Sequence, residues 1–290
     1  MIYLTPELGV SGGLTGPAVR PRIVLKLGGS TMSDGCLEGA FADDVAWLVE
    51  EGADVVVVHG GGAGITALAT ALGLETRFVD GQRYTSKETI GLVEMTLAGT
   101  VNTEVVRTLR AHNVNAFGLS GVDGGLLTGE RHDYDGVDLG LVGRIASVDS
   151  DVLALLWRSR LVPVIAPLTM DENGVMLNIN ADVAAAAIAE AIGAVALVYL
   201  SDVEGVKVGD AAVELLFESN AAELIESGEI SGGMVPKVRS AFESLANGVA
   251  AVAIIDGRDS HSVREYFTGQ GTGTRFVRGA DKCARVSLAA

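Results

Sequence analysis

Three charged side chains stand where a folded chain has little structural use for them. Lys26 stands near the end of the apolar run Arg22-Ile23-Val24-Leu25-Lys26-Leu27, which is followed at once by Gly28-Gly29. Burying an ammonium is costly unless it is paired, and open α/β sheets bind ligands at the carboxyl ends of their strands. Lys237 follows Gly232-Gly233-Met234-Val235-Pro236 near a helix start. A cation there opposes the helix dipole and calls for an anion nearby. Asp182 ends Asn178-Ile179-Asn180-Ala181-Asp182, two amides and a carboxylate at the mouth of a helix of small residues over 183–192. Asn180 or Asp182 would serve there as a plain helix cap, but helix-start N–H groups also gather polar ligands.

Glycine loops surround these charges. Gly28 and Gly29 let the backbone approach an anion and turn N–H groups toward it. Gly60-Gly61-Gly62 has the same setting, after an apolar run over 54–59 and before a helix. Gly62-Ala63-Gly64-Ile65-Thr66-Ala67 also satisfies the G-x-G-x-x-A dinucleotide pattern. No strand ending in an acidic residue follows it, only Asp80 in a turn-like context, and no G-x-x-x-x-G-K-[ST] is present. Arg83 precedes a capped helix and reads either as a surface arginine or as a bidentate partner for a carboxylate. Asp202-Val203-Glu204-Gly205-Val206-Lys207 is, by itself, a solvated turn after a strand. Two ammonium groups, a carboxylate to hold them apart and many backbone N–H groups suit phosphoryl transfer, which asks a protein mainly for positioning and electrostatic stabilisation. An acceptor that is already an anion needs no general base, which fits the lack of a well-placed histidine.

These residues need elements to hold them. Strand, glycine loop and helix occur twice over (22–27 then 37–51; 54–59 then 65–72), which points to a parallel sheet with crossover helices. Thr85-Ser86-Lys87-Glu88 fits a capping box with Thr85 and Glu88 as the reciprocal pair, opening a helix to about 109. A strand over 115–119, hairpins over 124–148, a helix over 149–160 and a strand over 161–166 follow. The second half gives strands over 196–200 and 252–255, helices over 221–226, 235–247 and 262–267, and a last edge strand over 274–277. Residues 8–21 form a loose arm. The reading is two α/β lobes, 22–177 and 178–290, with a cleft between them.

The totals set bounds. The chain has 290 residues, 48% of them hydrophobic, enough for one large α/β unit or two lobes. Its net charge of -16 opposes non-specific nucleic-acid binding, which requires neutralised phosphates. Cys36 and Cys283 make neither a disulfide framework nor a thiolate site, and His59, His112, His132 and His261 lack ligand spacing, so no protein-held metal is expected. No apolar run reaches the roughly 20 residues of a membrane span, and residues 1–20 lack the pattern of a signal peptide. A cytoplasmic protein with no membrane or nucleic-acid partner is the expectation.

Taken in order, Lys26-Leu27-Gly28-Gly29, Val58-His59-Gly60-Gly61-Gly62, Gly81-Gln82-Arg83-Tyr84-Thr85, Gly118-Leu119-Ser120-Gly121, Asn178-Ile179-Asn180-Ala181-Asp182, Ser201-Asp202-Val203-Glu204-Gly205-Val206 and Gly232-Gly233-Met234-Val235-Pro236-Lys237 resemble the amino-acid kinase family, in particular its branch that phosphorylates N-acetyl-L-glutamate. The resemblance implies a three-layer αβα sandwich around a mainly parallel open sheet, with the acceptor in the N-terminal lobe and ATP, carrying Mg2+ on its phosphates, in the C-terminal lobe. It implies that Lys26 and Lys237 stabilise the transition state and Asp182 organises them. Gly61, Gly62, Arg83, Asn178 and Asn180 would meet the acceptor. Gly28, Gly29, Asp202, Val203, Glu204, Gly205, Val206, Lys207, Gly232, Gly233 and Met234 would meet the nucleotide. Ala63-Gly64 replaces the usual polar pair after the glycines, and Tyr84 replaces a short aliphatic residue. The segment from Asp256-Gly257-Arg258 to Gly271-Thr272-Gly273-Thr274 resembles arginine-inhibited members, which use an N-terminal helix to build hexamers. Gly9, Gly12, Gly13 and Gly16 oppose such a helix, so a homodimer is expected, with the hexamer as its alternative. Three other readings stay open: a sister kinase acting on a carrier-linked aminoadipate or glutamate, a nicotinamide-dependent oxidoreductase using residues 62–67, and a silent arginine-sensing protein on the same fold.

Overall fold

The computed structural model describes residues 20–28, 39–79, 82–133, 136–209 and 211–279. Most of the expected arm, together with Gly29, Cys36 and Cys283, lies outside them. In chain order the elements are β1 (Arg22–Leu27), α1 (Ala40–Glu50), β2 (Asp54–His59), α2 (Gly62–Ala71), β3 (Phe78–Val79), β4 (Gln82–Arg83) and α3 (Ile90–Glu94). A π-helical turn (Met95–Val101) joins α3 to α4 (Asn102–Ala111), and β5 (Ala116–Ser120), β6 (Leu127–Arg131), β7 (Gly143–Val148), α5 (Ser150–Arg158) and β8 (Val162–Ala166) follow. Then come β9 (Leu168–Met170), β10 (Met176–Asn178), α6 (Ala181–Ile192), β11 (Ala196–Ser201), β12 (Lys207–Val208), β13 (Ala211–Ala212) and β14 (Leu215–Phe217). The described chain closes with α7 (Glu218–Glu226), α8 (Met234–Ala246), β15 (Val252–Asp256), α9 (Ser262–Thr268) and β16 (Thr274–Val277).

One sheet runs through the described residues in the order β14-β16-β15-β11-β1-β2-β8-β5. It is parallel except that β16 runs antiparallel to β15 and parallel to β14. Its inner strands are apolar on both faces, as strands covered by helices on both sides must be. Val24, Val56 and Leu197 face the layer that includes α5, α6 and α8. Ile23, Leu25 and Val55 face the layer of α1, α4 and α9. The three-layer αβα sandwich is therefore present, with a buried core on each side of the sheet. A smaller sheet, β10-β9-β6-β7, lies beside the amino end of α6. Among the described residues no helix is long and apolar enough to cross a membrane.

Three local expectations need correction. Residues 274–277 are not an edge strand: β16 lies between β15 and β14, and the short β14 forms the edge. The long helix after Thr85 is capped one residue later. Ser86 Oγ accepts from the N–H of Glu88 and Thr89 at 3.2 and 3.3 Å, and Thr89 Oγ1 accepts from the Ser86 N–H at 2.8 Å. That leaves Thr85 fully buried. The helix is also interrupted by the π turn, a feature that apolar periodicity does not reveal.

Candidate active site

The carboxyl ends of β1 and β2 and the amino ends of α2 and α6 meet at a cavity of about 400 Å³, whose walls include Lys26, Gly61, Gly62, Arg83, Asn178 and Asp182. β1 holds Lys26 between β2 and β11, in register with Val58 and Tyr199. Its side chain is 8% exposed. Asn180 resolves the question of the cap: its Oδ1 accepts from the Asp182 N–H at 2.8 Å, which frees the Asp182 carboxylate to face the cavity.

Lys237 Nζ donates to Asp182 Oδ2 at 2.5 Å, and Lys26 Nζ lies 2.7 Å from Oδ1. The second contact is a close ion pair. One carboxylate thus spaces two ammonium groups delivered by β1 and α8. Burial alone would raise the Asp182 pKa, but the two lysines outweigh it and hold the group at about 2. Burial pulls Lys26 below an ordinary lysine, and Asp182 opposes that pull. A carboxylate ionised at any working pH holds the two lysines apart, each able to turn toward an anion between them.

Arg83 reaches the cavity on the β3–β4 hairpin. Its Nη2 donates to Gly62 O at 2.8 Å and to Thr66 Oγ1 at 2.7 Å, and its guanidinium lies 4.6 Å from the centre of the Phe78 ring. Nη1 is buried with no hydrogen-bond partner. A half-satisfied guanidinium at a cavity wall is chemically able to take a carboxylate, which guanidinium binds through paired N–H groups. Asn178 Nδ2 donates to Thr85 Oγ1 at 3.1 Å, and Thr85 Oγ1 donates to Arg83 O at 3.2 Å, tying the cavity floor to the hairpin. Phe78, Gln82 and Leu97 also line the cavity. They were missed from the sequence along with Thr85, and only the aromatic beside a polar hairpin gave a hint. Tyr84, in contrast, stacks with Arg77 at 5.7 Å and does not line the cavity.

The residues expected on the nucleotide side are more dispersed. Gly28 donates its N–H to Leu200 O at 3.0 Å, continuing the sheet ladder, so that N–H does not point at a ligand. Gly29 lies outside the described residues. Asp202, Glu204 and Lys207 are exposed, Val203 is half-buried, and Gly205 is buried against Thr274. Val206 is fully buried and its N–H bonds Thr274 Oγ1 at 2.8 Å, so its side chain belongs to the core. Gly232 and Gly233 are exposed at the start of α8, with Met234 half-buried beside them.

An αβα sandwich with paired lysines on one aspartate and glycine-bounded helix starts defines a phosphoryl-transfer class of protein. Residues 21–256 match the amino acid kinase family, and the chain belongs to it. It is 46% identical over 255 residues to an acetylglutamate kinase from Chlorobaculum tepidum, covering 88% of this chain and 89% of that one. It is 43% identical over 267 residues to an acetylglutamate kinase from Brucella anthropi, covering 88% and 90%. Among solved structures, it resembles the N-acetylglutamate synthase from Neisseria gonorrhoeae complexed with coenzyme A and N-acetyl-glutamate. That match has a TM-score of 0.80 at 27% identity and covers 90% of this chain and 60% of that one. A carbamate kinase from Giardia lamblia bound to AMP-PNP shares the fold, with a TM-score of 0.65 at 18% identity and coverage of 90% and 99%.

Proposed function

We propose that this chain transfers the terminal phosphoryl group of ATP to the side-chain carboxylate of N-acetyl-L-glutamate, giving N-acetyl-L-glutamyl 5-phosphate, the activated intermediate of arginine synthesis. The observation that carries the reading is the bridge of Lys26 and Lys237 on Asp182, placed at the end of a cavity whose walls also include Arg83. The names of the relatives support the acceptor.

In this reading an acceptor carboxylate oxygen forms a bond to the terminal phosphorus. The bond from that phosphorus to the bridging oxygen breaks, and ADP leaves with the electron pair. No proton moves, so no general base is needed. Lys26 and Lys237 turn toward the oxygens on which charge develops, where fixed donors stabilise most strongly. The acceptor would sit in the N-terminal lobe, 22–177, against Gly61, Gly62, Arg83, Asn178 and Asn180. ATP would sit in the C-terminal lobe, 178–290, along residues 202–207 and 232–234, with the N–H groups that open α8 toward its phosphates. Mg2+ would arrive on those phosphates, since both Asp182 oxygens face ammonium groups; it neutralises phosphate charge. For the whole molecule the proposal is a homodimer, which sedimentation would separate from a hexamer.

The test is turnover of MgATP and acetylglutamate with hydroxylamine as trap. An acyl hydroxamate that appears only with acetylglutamate is the expected result. None with acetylglutamate, but some with another carboxylate, would overturn the acceptor.

A further inference from the structure

Beneath the glycine loop lies a buried polar pair that the transfer step does not use. His59 ends β2 and is fully buried; Asn102 opens α4, directly after the π turn, and is 5% exposed. Asn102 Nδ2 lies 2.9 Å from Val164 O, 3.4 Å from Leu119 O and 3.0 Å from His59 Nε2. His59 Nδ1 lies 2.8 Å from Gly60 O. Gly60 is itself a wall of the cavity.

The proton positions follow from the chemistry of the two ends. Carbonyl oxygens only accept, so the Asn102 group facing Val164 and Leu119 must be its NH2. That NH2 also faces His59 Nε2, which must therefore be an acceptor and carry no proton. The ring proton is then on Nδ1, where it is donated to Gly60 O. Protonating Nε2 would set two donors against each other. Burial acts in the same direction and pulls His59 down to about 4.

The surroundings leave Asn102 no other place. A Cβ on Gly118 would stand 2.1 Å from Asn102 Oδ1, so a glycine at 118 is what admits the amide. The π turn is what delivers it. The same turn places Leu97 so close that a Cβ on Gly61 would be 2.5 Å from its Cδ2, and places Thr96 so that a Cβ on Gly64 would be 3.1 Å from its Cγ2. π turns inside α-helices often mark functional sites.

We propose that His59 and Asn102 are positioning residues for the acceptor: a neutral relay from the backbones of β5 and β8, through Asn102 and the Nδ1–H tautomer of His59, fixes the Gly60 carbonyl and with it the Gly60-Gly61-Gly62 loop. This rests on the reading of that loop as the acceptor's seat. Neither residue touches the acceptor. Both act through the loop backbone, where a misplacement of about 1 Å can cost about 10²-fold.

Steady-state kinetics on His59→Leu and His59→Asn, with whichever carboxylate yields hydroxamate, tests the positioning. His59→Leu removes both ring contacts and should lower kcat/KM for the acceptor by about 10², with KM for MgATP at the wild-type value. His59→Asn keeps an N–H near the position of Nδ1 and should recover most of the loss. An acceptor kcat/KM unchanged in His59→Leu, an equal loss toward both substrates, or an asparagine variant no better than leucine would overturn the proposal. If the leucine variant fails to fold, 15N chemical shifts of histidine-labelled wild-type protein decide at neutral pH. An Nδ1–H neutral ring supports the relay, and an Nε2–H or doubly protonated ring overturns it. Failure of acetylglutamate itself in the hydroxamate assay strikes the acceptor assignment instead and leaves the tautomer result standing.

Discussion

The proposed acceptor side and the proposed nucleotide side both rely on glycine, for different reasons. At Gly61 the need is space: φ is 172°, extended backbone open to any residue, yet a Cβ would meet Leu97 at 2.5 Å and Val101 at 3.4 Å. At Gly232 the need is conformation: φ is +59° and nothing lies within 4 Å of an added Cβ. The first loop is held from behind by the π turn, by the His59–Asn102 pair and by Arg83 on Gly62 O. The second is exposed and lightly held. On the proposed reading, one substrate would enter a seat already built, while the other would meet an exposed surface around its phosphates. Asp182 stands between them, with one lysine from β1 and one from α8.

The largest expected effects lie where the two sides meet. Lys26→Ala and Lys237→Ala should each lower kcat by about 10² or more, as removal of a transition-state donor does. Steady-state rates check this, and wild-type kcat in both variants would take the lysines out of the mechanism. Arg83→Ala should raise KM for the acceptor and leave KM for MgATP alone, because Arg83 lines the cavity bonded to Gly62 O, on the proposed acceptor side. A change confined to the nucleotide would place Arg83 on the wrong side of the comparison.

Smaller effects separate the two uses of glycine. Gly61→Ala would set a Cβ 2.5 Å from Leu97 Cδ2, and Leu97, itself 2% exposed, must shift. It should cost about 1–3 kcal/mol by urea unfolding, with a higher acceptor KM. Adding Leu97→Ala should return part of the acceptor affinity. Gly233→Ala, at φ -66° with nothing near its Cβ, should leave stability within about 0.5 kcal/mol. If phosphates approach that backbone, the same variant raises KM for MgATP. Equal behaviour of the two alanine variants would erase the distinction.

Most of the sheet and the charged trio were legible in the sequence because they obey one-dimensional rules. Buried parallel strands such as β1, β2 and β11 read as apolar runs closed by glycine or polar turns. A lysine at a strand end before glycines and a carboxylate at a helix mouth make sense only as partners. The supporting contacts were illegible because they join distant positions. Asn102 meets His59 across 43 residues, and Asn178 meets Thr85 across 93. Thr85 fitted a capping pattern that Ser86 fulfils one step later. β16 looked like an edge because β14, which flanks it, has only 3 residues. The π turn has no apolar period of its own; it exists because Leu97 and Asn102 must both face inward.

The last expected change concerns pH, and it tests whether Asp182 links the two sides by charge. Its folded pKa, about 2, lies below the ordinary value of 3.8. The group therefore favours the folded state wherever it is ionised in both states, and this contribution is lost as pH falls through about 2. In Asp182→Asn the titration is absent. The difference in unfolding free energy between wild type and this variant should thus rise from about pH 2 to about pH 4, by on the order of 2 kcal/mol. Above about pH 4 it should stay flat to neutrality, because folded and unfolded chains then bind the same number of protons at this site. Urea titrations across that range measure it. A difference that instead falls between pH 5 and pH 8 would mean that an unfavourable environment holds the folded carboxyl protonated, and the lysines would then have no fixed anion to keep them apart.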